Sequence, residues 1–190
     1  MFRAIILCIG LAGCGGGGAD SAAPEPAVSY ASFRQSVIDT GVTPFSQVPD
    51  SGHHRYSGQM ALNLPFGSMP RAEYIGAFDL TLAVGGGSLG ASGQVAGLTD
   101  GNGSDLGGAL AFGGGMLMPD ADPRRDFLWL ADLEGDLTKD GIVYDLSAKI
   151  RGDFYGADAD GLAGLVYAGA IRQGGDIDIF DGSFAGRAAD

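Results

Sequence analysis

The sequence predicts an all-β domain: an eight-stranded antiparallel up-and-down β-barrel, soluble, with a short N-terminal helix or irregular arm. Three observations predict it. From His54 onward, apolar and polar residues alternate, as in strands with one dry and one wet face. Clusters of Gly, Pro, Asn and Asp interrupt the alternation seven times, and seven turns separate eight strands. No helix-length segment intervenes, so parallel crossovers have no room. Sequential antiparallel strands remove their exposed edges by closing on themselves.

The chain begins with an address. Met1-Phe2-Arg3 is a short positive start, and Ala4 to Gly13 is an uncharged, mostly apolar run. As a helix that run reaches about 15 Å, half of a hydrocarbon core, so it has the anatomy of a secretory leader and not of a span. It ends in Leu11-Ala12-Gly13-Cys14, which resembles the lipobox of bacterial lipoproteins. That resemblance implies that residues 1–13 are a signal peptide, cut off before Cys14, and that Cys14 is the lipid attachment site. Cys8 and Cys14 are the two cysteines, so the processed chain would hold no disulfide and no free thiol. Several acyl chains on one cysteine give stable anchoring, where one alone is marginal. Gly15 after Cys14 is, by likeness to enteric lipoproteins, a signal for the outer membrane of a Gram-negative bacterium.

Residues 14–42 carry the lipidated cysteine and a linker. Gly15 to Gly18 and the Ala- and Pro-containing stretch to Ala27 read as a flexible tether. Ser29 to Thr40 follows as a short helix. Tyr30, Phe33, Val37 and Ile38 share one face, Ser29 caps the start and Gly41 ends it. This helix is expected to pack on the domain.

Residues 43–190 form the barrel. Its strands are expected near 54–64, 74–84, 88–98, 106–118, 127–137, 142–155, 162–171 and 176–187. The sixth is the most regular: Ile142, Tyr144, Leu146, Ala148, Ile150, Gly152 and Phe154 face one way, Asp145, Ser147, Lys149, Arg151 and Asp153 the other. The fifth sets Phe127, Trp129, Ala131, Leu133 and Leu137 against Asp132, Glu134 and Asp136. Asp140-Gly141 between them is a hairpin signal. Glycine makes up 35 of the 190 residues, against a usual share of about 7%. Gly58, Gly76, Gly93, Gly108, Gly152 and Gly164 lie on the apolar faces, leaving room for Trp129, Phe78 and Tyr144 or letting curved strands bend. In the last strand Ile177 and Ile179 have one parity and Phe180 and Phe184 the other; a bulge near Asp181-Gly182 would reconcile them.

Two runs resemble a family. Thr43 to Gly58 contains a Pro-x-x-Gly turn (Pro49 to Gly52) leading into Tyr56-Ser57-Gly58, and the chain closes on Phe180-Asp181-Gly182-Ser183-Phe184 with Gly186-Arg187 after it. With the glycine-rich strands and the lipobox, these are similar to the barrels of transferrin-binding protein B-like surface lipoproteins, over about residues 43–190. The resemblance implies a lipid-anchored surface barrel with a binding role. Those proteins have two lobes, each a barrel with a handle domain, whereas this chain has one barrel and no handle. Their transferrin-contacting loops have no matching residues here, so no binding residue is carried over.

Other chemistry is weighed residue by residue. The run Asp100-Gly101-Asn102-Gly103-Ser104-Asp105 is like half a calcium loop but lacks the glycine and glutamate such a loop needs, which favours a polar hairpin turn. Ala157 to Gly161 reads the same way. His53 and His54 are adjacent on a strand and point to opposite faces, so they do not share an ion. Catalytic triads and zinc sites lack the residues to build them. The chain is therefore expected not to be an enzyme and to carry no cofactor. The formal charge of −12 argues against nucleic acid as a partner.

The expected function is an outer-membrane-anchored surface lipoprotein whose barrel binds a protein or small ligand. The alternatives are a structural envelope lipoprotein without a dedicated ligand, and a lipocalin-like carrier. A lipocalin shows Gly-x-Trp near its first strand, whereas the single tryptophan here, Trp129, is in the fifth and is expected in the core. Partner contacts are then expected in the longer connections, 65–70, 99–105 and 119–125.

Overall fold

The computed structural model describes residues 29–67, 70–118 and 128–189. A helix, α1 (Tyr30–Ile38), and one 3-10 turn (Phe45–Gln47) precede eight strands. The strands are β1 (Gly52–Leu64), β2 (Ala72–Gly85), β3 (Ser88–Asp100), β4 (Gly107–Leu117), β5 (Trp129–Lys139), β6 (Ile142–Tyr155), β7 (Gly161–Gln173) and β8 (Asp176–Ala188). Each pairs antiparallel with the next, and β8 returns to β1, so the sheet is a closed up-and-down barrel. The expected lipid site Cys14, the leader, the tether, Phe127 and the connection 119–125 lie outside the described residues.

Alternation decides what fills the inside. Along β6, Tyr144, Leu146, Ala148, Ile150, Gly152 and Phe154 are buried, while Asp145 and Lys149 are exposed. Ile142 keeps the same parity but, as the first residue of β6 at the rim, is 42% exposed. Trp129, Ala131, Leu133 and Leu137 of β5 are buried as the pattern requires. In the interior the ring of Phe184 lies 6.1 Å from that of Phe78 and 5.7 Å from that of Trp129, and Tyr56 meets Phe154 at 6.2 Å.

Inward glycines set the diameter. A Cβ at Gly164 would lie 2.1 Å from the Arg151 carbonyl oxygen and 2.6 Å from Cζ of Phe184. At the closing seam Gly58 pairs with Gly186, and a Cβ on Gly58 would lie 2.1 Å from the Ala185 carbonyl oxygen. The aromatic rings occupy the space that these glycines leave: Phe78 rests on Gly186, and Phe184 rests on Gly152 and Gly164.

The bulge expected near Asp181-Gly182 lies instead in the neighbouring strand. Pairing of β7 with β8 jumps between Val166 and Gly169, so Tyr167 and Ala168 stand opposite Asp181 alone. Ala168 takes the left-handed conformation, φ 50°. β8 keeps one parity throughout: Phe180 and Phe184 point in, and Ile177 and Ile179 point out to solvent.

α1 lies on the outer wall. The Ser29 hydroxyl accepts a hydrogen bond from the Ser32 N–H at 3.2 Å, and Gly41, at φ 82°, ends the helix by donating to the Ile38 carbonyl at 3.0 Å. Val37 is fully buried against Ala163 of β7 and Ala185 of β8, with Phe33, Ile38 and Tyr155 around it. Tyr30 and Ser183 share a hydroxyl hydrogen bond of 2.7 Å. Beyond the helix, Thr43 donates its N–H to the Phe154 carbonyl at 2.9 Å and its hydroxyl to the Gly156 carbonyl at 2.7 Å, stitching the arm to the end of β6.

Candidate functional site

The topology divides the turns between two ends. The β1–β2, β3–β4, β5–β6 and β7–β8 connections share one end, here the hairpin end. The arm enters at the other, beside the β2–β3, β4–β5 and β6–β7 connections.

Aromatic rings close the hairpin end. Phe66, from the β1–β2 connection, sits edge-on to Tyr74 at 5.5 Å and to Tyr144 at 4.8 Å. The Lys139 ammonium donates to the Tyr74 hydroxyl at 2.6 Å and lies 4.8 Å from the Phe66 ring centre. That hydrogen bond raises the lysine pKa, with burial opposing it, so the cation is held in place over the rings. This cluster draws on four separate segments, and no local pattern announces it.

Beside that lid an open cleft of about 360 Å³ separates Pro65 and Gly67 from the β7–β8 hairpin. Tyr144 and Ile171 form its apolar floor, and Asp176 and Asp178 bring carboxylates to it. On the outer wall a second open groove, of about 370 Å³, runs along Met116, Leu130 and Tyr167 and past the Asp132–Lys149 ion pair. The Arg151 guanidinium lies 5.0 Å over the Tyr167 ring beside it. Both surfaces set apolar side chains beside charged ones: carboxylates at the cleft, and a carboxylate with cations at the groove.

The residues singled out from sequence fall in separate places. Asp100 turns its carboxylate inward on its own loop: Oδ1 accepts from the Asn102 N–H at 2.9 Å and the Ser104 N–H at 2.8 Å. Those bonds, the Ser104 one foremost, lower its pKa and organise a polar turn closed by the Thr99–Asp105 bridge. In the 157–161 turn the Ala159 carbonyl accepts from the Tyr56 hydroxyl at 2.8 Å, and the Asp160 carbonyl accepts from the Ala188 N–H at 2.7 Å. Burial, reinforced by the Asp160 charge, pushes the Tyr56 pKa up to about 12. His54 forms a 2.9 Å hydrogen bond with the Ser51 carbonyl at the rim, and His53 is exposed. Among the described residues no three His, Cys, Asp or Glu side chains are placed to hold a metal ion. Trp129 is wholly buried.

The sequence marks Ile177 and Ile179 by their parity but does not show the open strand edge there. Its signal, a parity opposite to that of Phe180 and Phe184, also fits a bulge, and sequence alone does not separate the two. No family model matches the chain, and no curated protein matches it in sequence.

Proposed function

We propose that the chain is an outer-membrane-anchored surface lipoprotein, tethered through Cys14, whose barrel is a binding module for a protein. The observation that carries the binding reading is the filled interior. Trp129, Tyr74, Phe154, Phe184 and Met60 are fully buried across the barrel, so a partner meets the rims and the outer wall. The same packing speaks against a lipocalin-like carrier. The outer wall carries Asp132, Glu134, Lys149 and Arg151, charges too costly to turn toward hydrocarbon, which supports a barrel standing in water beside the membrane. The leader and Cys14 support the lipid anchor, and the binding role is motivated by the resemblance of the Tyr56-Ser57-Gly58 and Phe180–Phe184 runs to transferrin-binding protein B-like barrels.

The test begins at Cys14. Cys14→Ser should abolish metabolic labelling with palmitate, and protease added to intact cells should remove the wild-type barrel from their surface. Unchanged labelling overturns the anchor; full protection from protease overturns surface display. A chain beginning at Ser29 should purify without detergent with a β-type circular dichroism spectrum, and obligate detergent dependence would overturn the water-facing wall. Replacing 99–105 or 119–125 by a short turn should leave melting nearly unchanged while weakening capture of the partner.

A further inference from the structure

β8 is offset along the strand it closes on, so that its first residues run past the end of their pairing with β1. Its pairing with β1 runs from Tyr56–Ala188 to Asn63–Asp181 and stops there. Asp176 to Phe180 therefore continue past the last β1–β8 pair, held by β7 on one side, with no described strand pairing on the other. The hairpin geometry says which groups are open. Gln173 and Asp176 flank the two-residue turn Gly174-Gly175, so they form a hydrogen-bonded pair. Parity then aims the backbone N–H and C=O of Ile177 and Ile179 away from β7, toward the side on which no described strand pairs. The two residues are 64% and 67% exposed. Asp176 and Asp178 alternate with them, and Asp176, Ile177 and Asp178 border the cleft. No ion pair engages either carboxylate among the described residues, whereas Arg71 lies 3.5 Å from Asp181 and Arg172 lies 3.9 Å from Asp145.

We propose that Asp176–Phe180 is a docking edge for an extended basic segment of a partner protein, which adds to the sheet as a further strand beside β8. Main-chain hydrogen bonds to Ile177 and Ile179 supply the pairing. In an antiparallel pair, opposed residues share a face. Apolar residues of the partner thus cover Ile177 and Ile179, and Lys or Arg at the alternate positions face Asp176 and Asp178. Charge selects this occupant over a second copy of the chain. In the register that pairs all five residues of two such edges, Asp178 would face Asp178, and each molecule carries −12. The aspartates thus guard the edge against self-association and leave it open to a basic strand. The inference rests on the reading of the barrel as a protein-binding module and names its site and its class of partner.

The probe is a blocked, labelled peptide of alternating lysine and valine, titrated against the full chain by fluorescence anisotropy and mapped by amide chemical shifts. Binding should perturb residues 176–180 and weaken with salt. The same peptide N-methylated at alternate residues keeps its charge but loses one hydrogen-bonding edge; it should bind roughly tenfold more weakly, about what one backbone hydrogen bond is worth. Ile179→Pro removes an N–H from the open side while leaving the β7 ladder intact, and should have a similar effect. Asp176→Asn with Asp178→Asn should remove the preference for lysine over glutamate in the alternating peptide. Equal binding of the N-methylated peptide, shifts centred elsewhere on the acidic surface, or no binding would each overturn the site. Should the site fail while the chain with 99–105 replaced still loses its partner, the binding-module reading stands and only the edge is lost.

Discussion

Tyr56 shows how one buried hydroxyl ties the first strand to the β6–β7 turn. Its ring packs on Phe154, and its O–H donates to the Ala159 carbonyl at 2.8 Å, the residue itself held at φ 54°. Burial favours the neutral phenol, so the pKa rises from 10.0 to about 12. Between those values the unfolded chain has released its proton and the folded chain has not. Stability is therefore flat below pH 10 on this account and falls as the pH climbs through the window, by up to about 2–3 kcal/mol. Tyr30 and Tyr155 are also raised, chiefly by burial, and add to the slope. Chemical denaturation across this range should show the decline, and Tyr56→Phe should flatten it while costing about 1 kcal/mol at neutral pH. Trp129 makes a larger contribution through packing alone. Trp129→Ala should cost roughly 3–5 kcal/mol in equilibrium denaturation, as expected of a large side chain removed from a filled core.

The strands depend on where glycine sits, not on how much glycine there is. At Gly164 a methyl group meets the Arg151 carbonyl, the Phe184 ring and the Gly152 Cα, so neither backbone nor ring can yield alone. Gly164→Ala should destabilise by about 1–3 kcal/mol, the usual cost of overpacking. At Gly113 nothing lies within 4 Å of the same methyl, and Gly113→Ala should leave the denaturation midpoint within about 0.5 kcal/mol of wild type. Equal effects at both positions would contradict the close-approach role. The inward periodicity of these glycines was legible in the sequence; which ring each one receives was not, because Phe184 and Gly164 meet across strands. The helix follows the same division. Its cap at Ser29 was readable locally, and Ser29→Ala should lower the melting temperature by an amount equivalent to about 1 kcal/mol. That its face rests on Ala163 and Ala185 depends on two outward alanines from distant strands, which in sequence look like ordinary small residues.

The barrel as a whole places its apolar residues inside and its charges outside, and the surplus of acids spreads over the wall and both ends. A formal charge of −12 on a chain of 190 residues repels itself. Raising salt from low to physiological concentration should therefore stabilise the chain by thermal melting. Lys149 with Asp132 and Arg172 with Asp145 are exposed pairs, and each is worth no more than about 1 kcal/mol, so their screening should not reverse the trend. A melting temperature that falls with salt would mean that local pairs outweigh the overall repulsion.

The eight strands, their turns and the direction each face points were written in the alternation along the chain, because burial on one face of a strand is a local, period-two constraint. The polar character of the Asp100–Asp105 turn was local too, since its bonds close within the loop. The lid of Phe66, Tyr74, Tyr144 and Lys139, the bulge at Tyr167-Ala168 and the unpaired edge of β8 were not. The lid and the edge depend on how far one strand extends past its neighbour, and the bulge on a two-against-one mismatch inside the β7–β8 ladder. Pairing between Asn63 and Asp181 sets that offset, and two residues far apart in the chain acquire a register only when the sheet closes.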